Sequence, residues 1–322
     1  MNVFFSMKYL TYNDILNILT LNKESYSELK KYLYKNILIK YHSKYDIKKH
    51  ISIWKIILDY NEIKSKYNFS EIKESLINKN TKKEPIFDTI ELDSIRTSFK
   101  NNQESNQIKL GNILKMASKQ FPSVNYCQGM NHIAAFFLVL CEEKEEEAFY
   151  LFLSFLFKTD YCSLIENDLS KLNRNFYCFE RLLNIMLPEM NNYLLSNNIN
   201  GGYFLSPWFI TLFTIAFYEE EKEENNLEIV MILFDMFLFS GWKAIFKIGI
   251  SLIKSNSGKI FSLPDEHLVH YLNNELTRSD FFRNNNSGEF INIFMNFKLS
   301  NNLMDHLSEE YELKKNILNK NN

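Results

Sequence analysis

The sequence predicts an all-α protein, and three observations carry that prediction. Apolar residues recur at helical spacing along nearly the whole chain. No alternating apolar–polar run is bounded by an Asn-Gly or Asp-Gly turn, so no hairpin is expected. Glycine and proline, the strongest punctuators, number only 8 and 5 in 322 residues.

The elements follow in order. Ile15, Leu16, Ile18 and Leu19 open a helix after Asn13 as a possible cap, and Leu29, Leu33, Ile37 and Ile39 mark a second. Ile51, Trp54, Ile57 and Leu58 mark a third. A short segment runs from Ser70 through Ile77, then a polar loop from Asn78 to Glu84 that ends in Pro85. Helices are expected over Ile86–Phe99, over Ile108–Phe121 up to Pro122, and over Cys127–Leu140, which opens with Gly129. Glu142–Glu147 reads as a solvated turn and helix start, followed by a buried helix Ala148–Phe157. Leu172–Leu187 is closed by Pro188. Ser206-Pro207 is a helix-start pair, Ser as N-cap and Pro at the first helical position, leading through Leu212, Phe213 and Phe217. A charged loop Glu219–Asn226, helices Leu227–Phe239 and Trp242–Ile253 broken at Ser240-Gly241, a helix after Pro264 through Leu272, and helices Ile291–Phe297 and Leu303–Leu318 finish the chain. Trp54, Trp208 and Trp242 are core candidates. No Pro- or Ser-rich linker cuts the array, and no repeat with a period of about 20 to 50 residues appears.

Composition excludes several classes. Apolar residues at 46% support a sizeable core, and a mean hydropathy of -0.26 is that of a soluble chain. A net charge of -2 points to neither nucleic acid nor an anionic membrane as a bulk target. The apolar stretches Ile133–Cys141, Tyr203–Tyr218 and Ile229–Trp242 are too short or too interrupted to span a bilayer, so no transmembrane segment is expected. Met1–Leu10 is too short and mixed for a signal peptide, and a cytoplasmic location is expected. Cys127, Cys141, Cys162 and Cys178 form no C-x-x-C, which fits a reducing compartment without zinc or disulfides. His267 and His270, beside Asp265 and Glu266, read as an exposed helix face, and no metal is expected. Neither G-x-x-x-x-G-K-[ST] nor G-x-G-x-x-G is present, so the chain has no glycine-rich phosphate loop of its own.

Two short segments stand apart from this background: Ile90-Glu-Leu-Asp93-Ser-Ile-Arg96-Thr97 and Asn125-Tyr126-Cys127-Gln128-Gly129-Met130-Asn131. By spacing alone, Asp93 and Arg96 are a surface ion pair at i, i+3, and the second segment is a glycine-permitted turn into a core helix. Usage adds weight to two residues. Basic positions are nearly all Lys, with arginine confined to Arg96, Arg174, Arg181, Arg278 and Arg283, and glutamine to Gln103, Gln107, Gln120 and Gln128. Where a chain uses Lys for charge, an Arg is more plausibly wanted for its planar fork.

These segments resemble the two motifs of the TBC domain, the catalytic domain of Rab GTPase-activating proteins. Its I-x-x-D-x-x-R form is matched by Ile90, Asp93 and Arg96, and its Y-x-Q form by Tyr126 and Gln128, continuing through Gly129, Met130 and Asn131. Trp208-Phe209 with Leu212-Phe213, and Asp235 with Leu238 and Gly241-Trp242, match a third region, and Trp54 lies where the family usually begins. Two positions depart from the pattern: Asn125 replaces a frequent Gly, and His50 or Lys49 stands where Arg is common. The resemblance implies a multi-helix domain of two helical lobes over 46–275, with 1–45 as a helical extension and 276–322 as helices packing on or continuing it.

It also implies a GTPase-activating protein rather than an enzyme in its own right. The partner is a Rab-family small GTPase in its GTP-bound state. Arg96 is the catalytic arginine finger, Gln128 the glutamine finger, and Asp93, Tyr126, Gly129 and Asn131 are supports, with Gly129 allowing close approach of the partner. No cofactor belongs to this chain; GTP and Mg²⁺ are held by the GTPase. Membrane association is indirect, through the Rab. The competing expectation is a catalytically silent helical adaptor for a GTPase or membrane-traffic partner.

Overall fold

The computed structural model describes residues 47–78, 84–122, 124–166, 168–215, 225–276, 294 and 296–321. Among them are fifteen α-helices and no strand. In chain order they are α1 (Ile47–Ile57), α2 (Tyr60–Lys66), α3 (Phe69–Asn78), α4 (Pro85–Arg96), α5 (Gln103–Gln120), α6 (Met130–Leu140), α7 (Glu145–Lys158), α8 (Ser170–Met186), α9 (Pro188–Ser196), α10 (Leu205–Thr211), α11 (Asn225–Ser240), α12 (Trp242–Ser255), α13 (Ser257–Ser262), α14 (Asp265–His270) and α15 (Asn301–Asn321). The helices expected at Ile15–Leu19 and Leu29–Ile39, most of Ile291–Phe297, and the centres of the two polar loops lie outside the described residues.

The helices form two groups. In the first, α5 packs against α3, α4, α6 and α7; in the second, α8 packs against α9, α10, α12 and α15. The seam between the groups is aromatic. Trp54 on α1 lies 6.0 and 6.3 Å from Phe136 and Phe137 on α6, and 5.0 Å from Phe234 on α11. Phe155 on α7 reaches the same Phe234 at 5.4 Å. Helix α11 is buried on every side from Val230 to Leu238, as a helix apolar all round must be. Its single charge in that run, Asp235, accepts a hydrogen bond from Trp54 Nε1 at 2.5 Å and lies 3.0 Å from His50 Nδ1. The departure at position 50 is thus a buried histidine pairing with this carboxylate.

Three differences from the sequence expectation have physical causes. The helix opening at Ser206-Pro207 starts two residues earlier, with Phe204 rather than Ser206 as the N-cap, and ends at Thr211. Leu212 and Phe213 take left-handed backbone, φ 50° and 63°, because both side chains are pulled into the core. Tertiary burial there overrides helical propensity. Pro188 closes α8 and also occupies the first position of α9, where its missing N–H costs nothing. Helices α2 and α13 are too short to show a period; α2 buries only Tyr60 and Ile63. Of the three tryptophans, Trp54 and Trp208 are fully buried, whereas Trp242 is half-buried, stacked near Tyr161 and Phe209.

The acidic run is more than a solvated turn. Its glutamates open α7, where negative charge suits the helix N-terminus. They also pair with lysines from other helices: Glu147 with Lys55 on α1, Glu146 with Lys64 on α2, Glu145 with Lys73 on α3 and Glu143 with Lys109 on α5.

Candidate functional site

Helix α4 delivers Asp93 and Arg96 one turn apart at its C-terminal end. The face carrying Ile90, Asp93 and Ser94 is buried, and Arg96 points outward. No hydrogen bond or ion pair to another described residue holds the Arg96 side chain. The loop from Asn125 to Gly129 delivers Gln128, also exposed. Arg96 and Gln128 line one open cleft of about 510 Å³ with Asp93, Cys127, Gly129 and Asn131. The rest of its lining comes from His132 and, about eighty residues further on, Ser206, Pro207, Ile210, Thr211 and Ile215.

A closed set of hydrogen bonds joins the two motif segments. Tyr126 Oη donates to Asp93 Oδ2 at 2.6 Å, beneath the surface. Asn131 Oδ1 accepts the Gly129 N–H at 3.1 Å, and Asn131 Nδ2 donates to Thr97 Oγ1 at 2.9 Å. The Thr97 hydroxyl in turn donates to the Asp93 carbonyl at 2.8 Å. Asp93, Tyr126 and Asn131 therefore act on the backbone: they staple the end of α4 to the loop bearing Gln128. The i, i+3 surface ion pair of Asp93 with Arg96 is not formed, because Asp93 is buried and turned to Tyr126.

The loop is shaped by two left-handed residues. Asn125 has φ 59°, a conformation Asn tolerates, so the departure from Gly there is accommodated. Gly129 has φ 105° and serves as N-cap of α6. A Cβ on Gly129 would lie 2.7 Å from Ile210 Cγ2. Within the chain itself, this glycine permits the close approach of α10. Tyr161 fixes that neighbour by donating its hydroxyl to the Ile210 carbonyl at 2.7 Å.

The electrostatics of the cleft are simple. Burial lowers the pKa of His132 to about 4, partly opposed by the Asp93 charge, so this imidazole is neutral near pH 7. Burial, then Asp93, raises the Cys127 thiol and keeps it protonated. Burial and the bond to Asp93 raise Tyr126 far above the ordinary phenol range. None of these groups is poised as a nucleophile or general base near neutrality. What the cleft offers is a guanidinium and a carboxamide. His267 and His270 are exposed beside Glu266 and Glu275, and no group of potential metal ligands occurs among the described residues.

Of the predicted residues, Arg96, Gln128, Asp93, Gly129 and Asn131 meet at the cleft, and Tyr126 lies beneath it. Thr97 and the α10 wall were not assigned from sequence. Thr97 had a signal in its place directly after Arg96; the α10 segment had one in the Trp208-Phe209 match, but only tertiary packing brings α10 against α6.

Fold and site together define an all-helical domain that exposes an arginine and a glutamine from separate segments in one cleft. The chain matches the Rab-GTPase-TBC domain family over residues 48–261. It is 30% identical to TBC1 domain family member 4 of Mus musculus over 171 residues, covering 53% of this chain and 12% of that protein. It is 27% identical to Rab GTPase-activating protein tbc-11 of Caenorhabditis elegans, covering 66% of this chain and 22% of that protein. The chain thus spans less than a quarter of the length of these relatives. The crystal structure of the Ypt/Rab-GAP domain of Gyp1p superposes with a TM-score of 0.64 at 14% identity, covering 94% of this chain and 100% of that one. The chain belongs to the Rab-GTPase-TBC domain family. No helix among the described residues is long and apolar enough to cross a membrane.

Proposed function

We propose that this protein stimulates GTP hydrolysis by a Rab-family small GTPase, with Arg96 and Gln128 acting in trans on the partner's nucleotide. The observation that carries the proposal is that these two side chains, 32 positions apart in sequence, are both exposed and line one cleft. Hydrolysis requires stabilisation of charge on the γ-phosphoryl group and a correctly aimed water. Arg96 brings a permanent charge and donors matched to phosphate oxygens, and no other described residue occupies them. An arginine supplied in trans contributes about 10³ to 10⁵ in rate, or roughly 4 to 7 kcal/mol. The Gln128 carboxamide accepts from the attacking water and donates toward phosphate. GTP and Mg²⁺ come with the GTPase; this chain contributes no cofactor. Rab binding brings the protein to a membrane indirectly and links it to vesicle traffic.

The test is single-turnover GTP hydrolysis by a panel of GTP-loaded Rab GTPases. Arg96→Ala is expected to lose at least about 10³ of the stimulation, with folding unchanged because the side chain is exposed. Arg96→Lys is expected to fail as well, since it keeps charge but loses the fork. Gln128→Ala is expected to be defective. Wild-type stimulation by both alanine variants overturns the proposal, and binding without acceleration across the panel identifies an adaptor instead.

A further inference from the structure

The sequence holds four glutamines, and two of them lie four residues apart on α5, the helix that packs along α4. Gln107 Nε2 donates to the Ile95 carbonyl at 2.5 Å and to the Thr97 carbonyl at 3.3 Å. Gln103 Nε2 donates to the same Thr97 carbonyl at 3.1 Å, and Gln103 Oε1 accepts the Phe99 N–H at 2.5 Å. Together the two side chains hold the backbone on both sides of Arg96, where α4 ends and its last carbonyls have no partner within the helix. The Arg96 side chain is anchored by no described residue, so the direction it leaves the surface is set by this backbone.

We infer that Gln107, seconded by Gln103, is a positioning residue that aims Arg96 by clamping residues 95–99. This rests on the proposed GTPase-activating role of Arg96. Both glutamines are at least partly exposed, so the clamp matters little to folding. For a charge that must meet a phosphoryl group in flight, displacement of about 1 Å costs about 10²-fold in rate. Among the described residues, Gln107 acts only as a donor, to two carbonyl oxygens. A donor of similar reach should therefore replace it, and an acceptor should not.

The experiment uses the full chain and the GTP-loaded Rab that the wild type stimulates best. Gln107→Glu, which sets a carboxylate against two carbonyls, is expected to lower the maximal single-turnover rate about 10- to 100-fold, by the geometric sensitivity above. The half-saturating concentration and the melting temperature are expected to stay near wild type. Gln107→Lys restores the donors and is expected to recover most of the maximal rate. Equal rates for wild type, Gln107→Glu and Gln107→Ala overturn the inference, as does a loss in Gln107→Lys equal to that in Gln107→Glu. If the wild type stimulates no Rab, the GTPase reading has failed, and hydrogen exchange then judges the clamp. Faster exchange at the Phe99 amide in Gln103→Ala, and across 95–99 in Gln107→Glu, supports it; unchanged exchange overturns it.

Discussion

At the scale of single residues, the two motif segments divide into groups that face out and groups that hold. Arg96 and Gln128 are exposed; Asp93, Tyr126 and Asn131 are buried and bonded to one another or to Thr97. The holding residues direct their polar atoms to the chain itself. Gly129 is the most constrained position. It needs positive φ and has no room for a Cβ against Ile210. Gly129→Ala is expected to destabilise the fold by about 1 to 3 kcal/mol and to displace the Gln128 loop. Urea denaturation measures the first effect, and stimulated hydrolysis, lowered more than stability alone explains, measures the second. Motif identity at Gly129 was legible in the sequence. The surface that enforces it was not, because Ile210 is 81 positions away.

At the scale of elements, helix existence was legible wherever a segment is long and amphipathic, as in α5 and α8, since burial of one face imposes the 3.6-residue period. It failed where packing dictates the backbone. Leu212 and Phe213 have good helical neighbours, yet both adopt left-handed conformations so that their side chains enter the core. The acidic run shows the same limit in electrostatics. Six residues that look like a solvated turn collect lysines from four helices. The Lys55–Glu147 contact, 2.5 Å and partly shielded, joins α1 to the start of α7. A double-mutant cycle with Lys55→Met and Glu147→Gln is expected to give a coupling of about 0.5 to 1 kcal/mol. That coupling should shrink in high salt, as screening of a partly exposed pair requires. A salt-independent coupling would show that the contact of the Lys55 ammonium with the Tyr60 ring, 4.9 Å from its centroid, dominates instead.

At the scale of the whole molecule, α1 and α11 are joined through Asp235. Its carboxylate, about 1% exposed, takes the Trp54 indole N–H and lies against His50, tying the first described helix to one 181 positions later. Removing it leaves the indole N–H without this acceptor inside the core. Asp235→Ala is expected to cost about 3 to 5 kcal/mol, whereas Trp54→Phe, which removes the donor and keeps the ring packing, should cost less. Equilibrium denaturation by urea compares them; an Asp235→Ala variant as stable as wild type would mean the seam is held by its aromatic contacts alone.

The amino-acid sequence by itself determined the all-helical class, the place of most long helices, and the two segments whose residues meet at the cleft. These are local properties: periodicity, caps, and the identity of neighbours a few positions apart. Only the tertiary structure decided that Arg96 and Gln128 open onto the same cleft, that α10 lines it with them, and that Gln103 and Gln107 grip the backbone beside Arg96. The physical reason is that a hydrogen bond or a close contact depends on distance in space, and no local pattern records which distant segment burial will bring alongside.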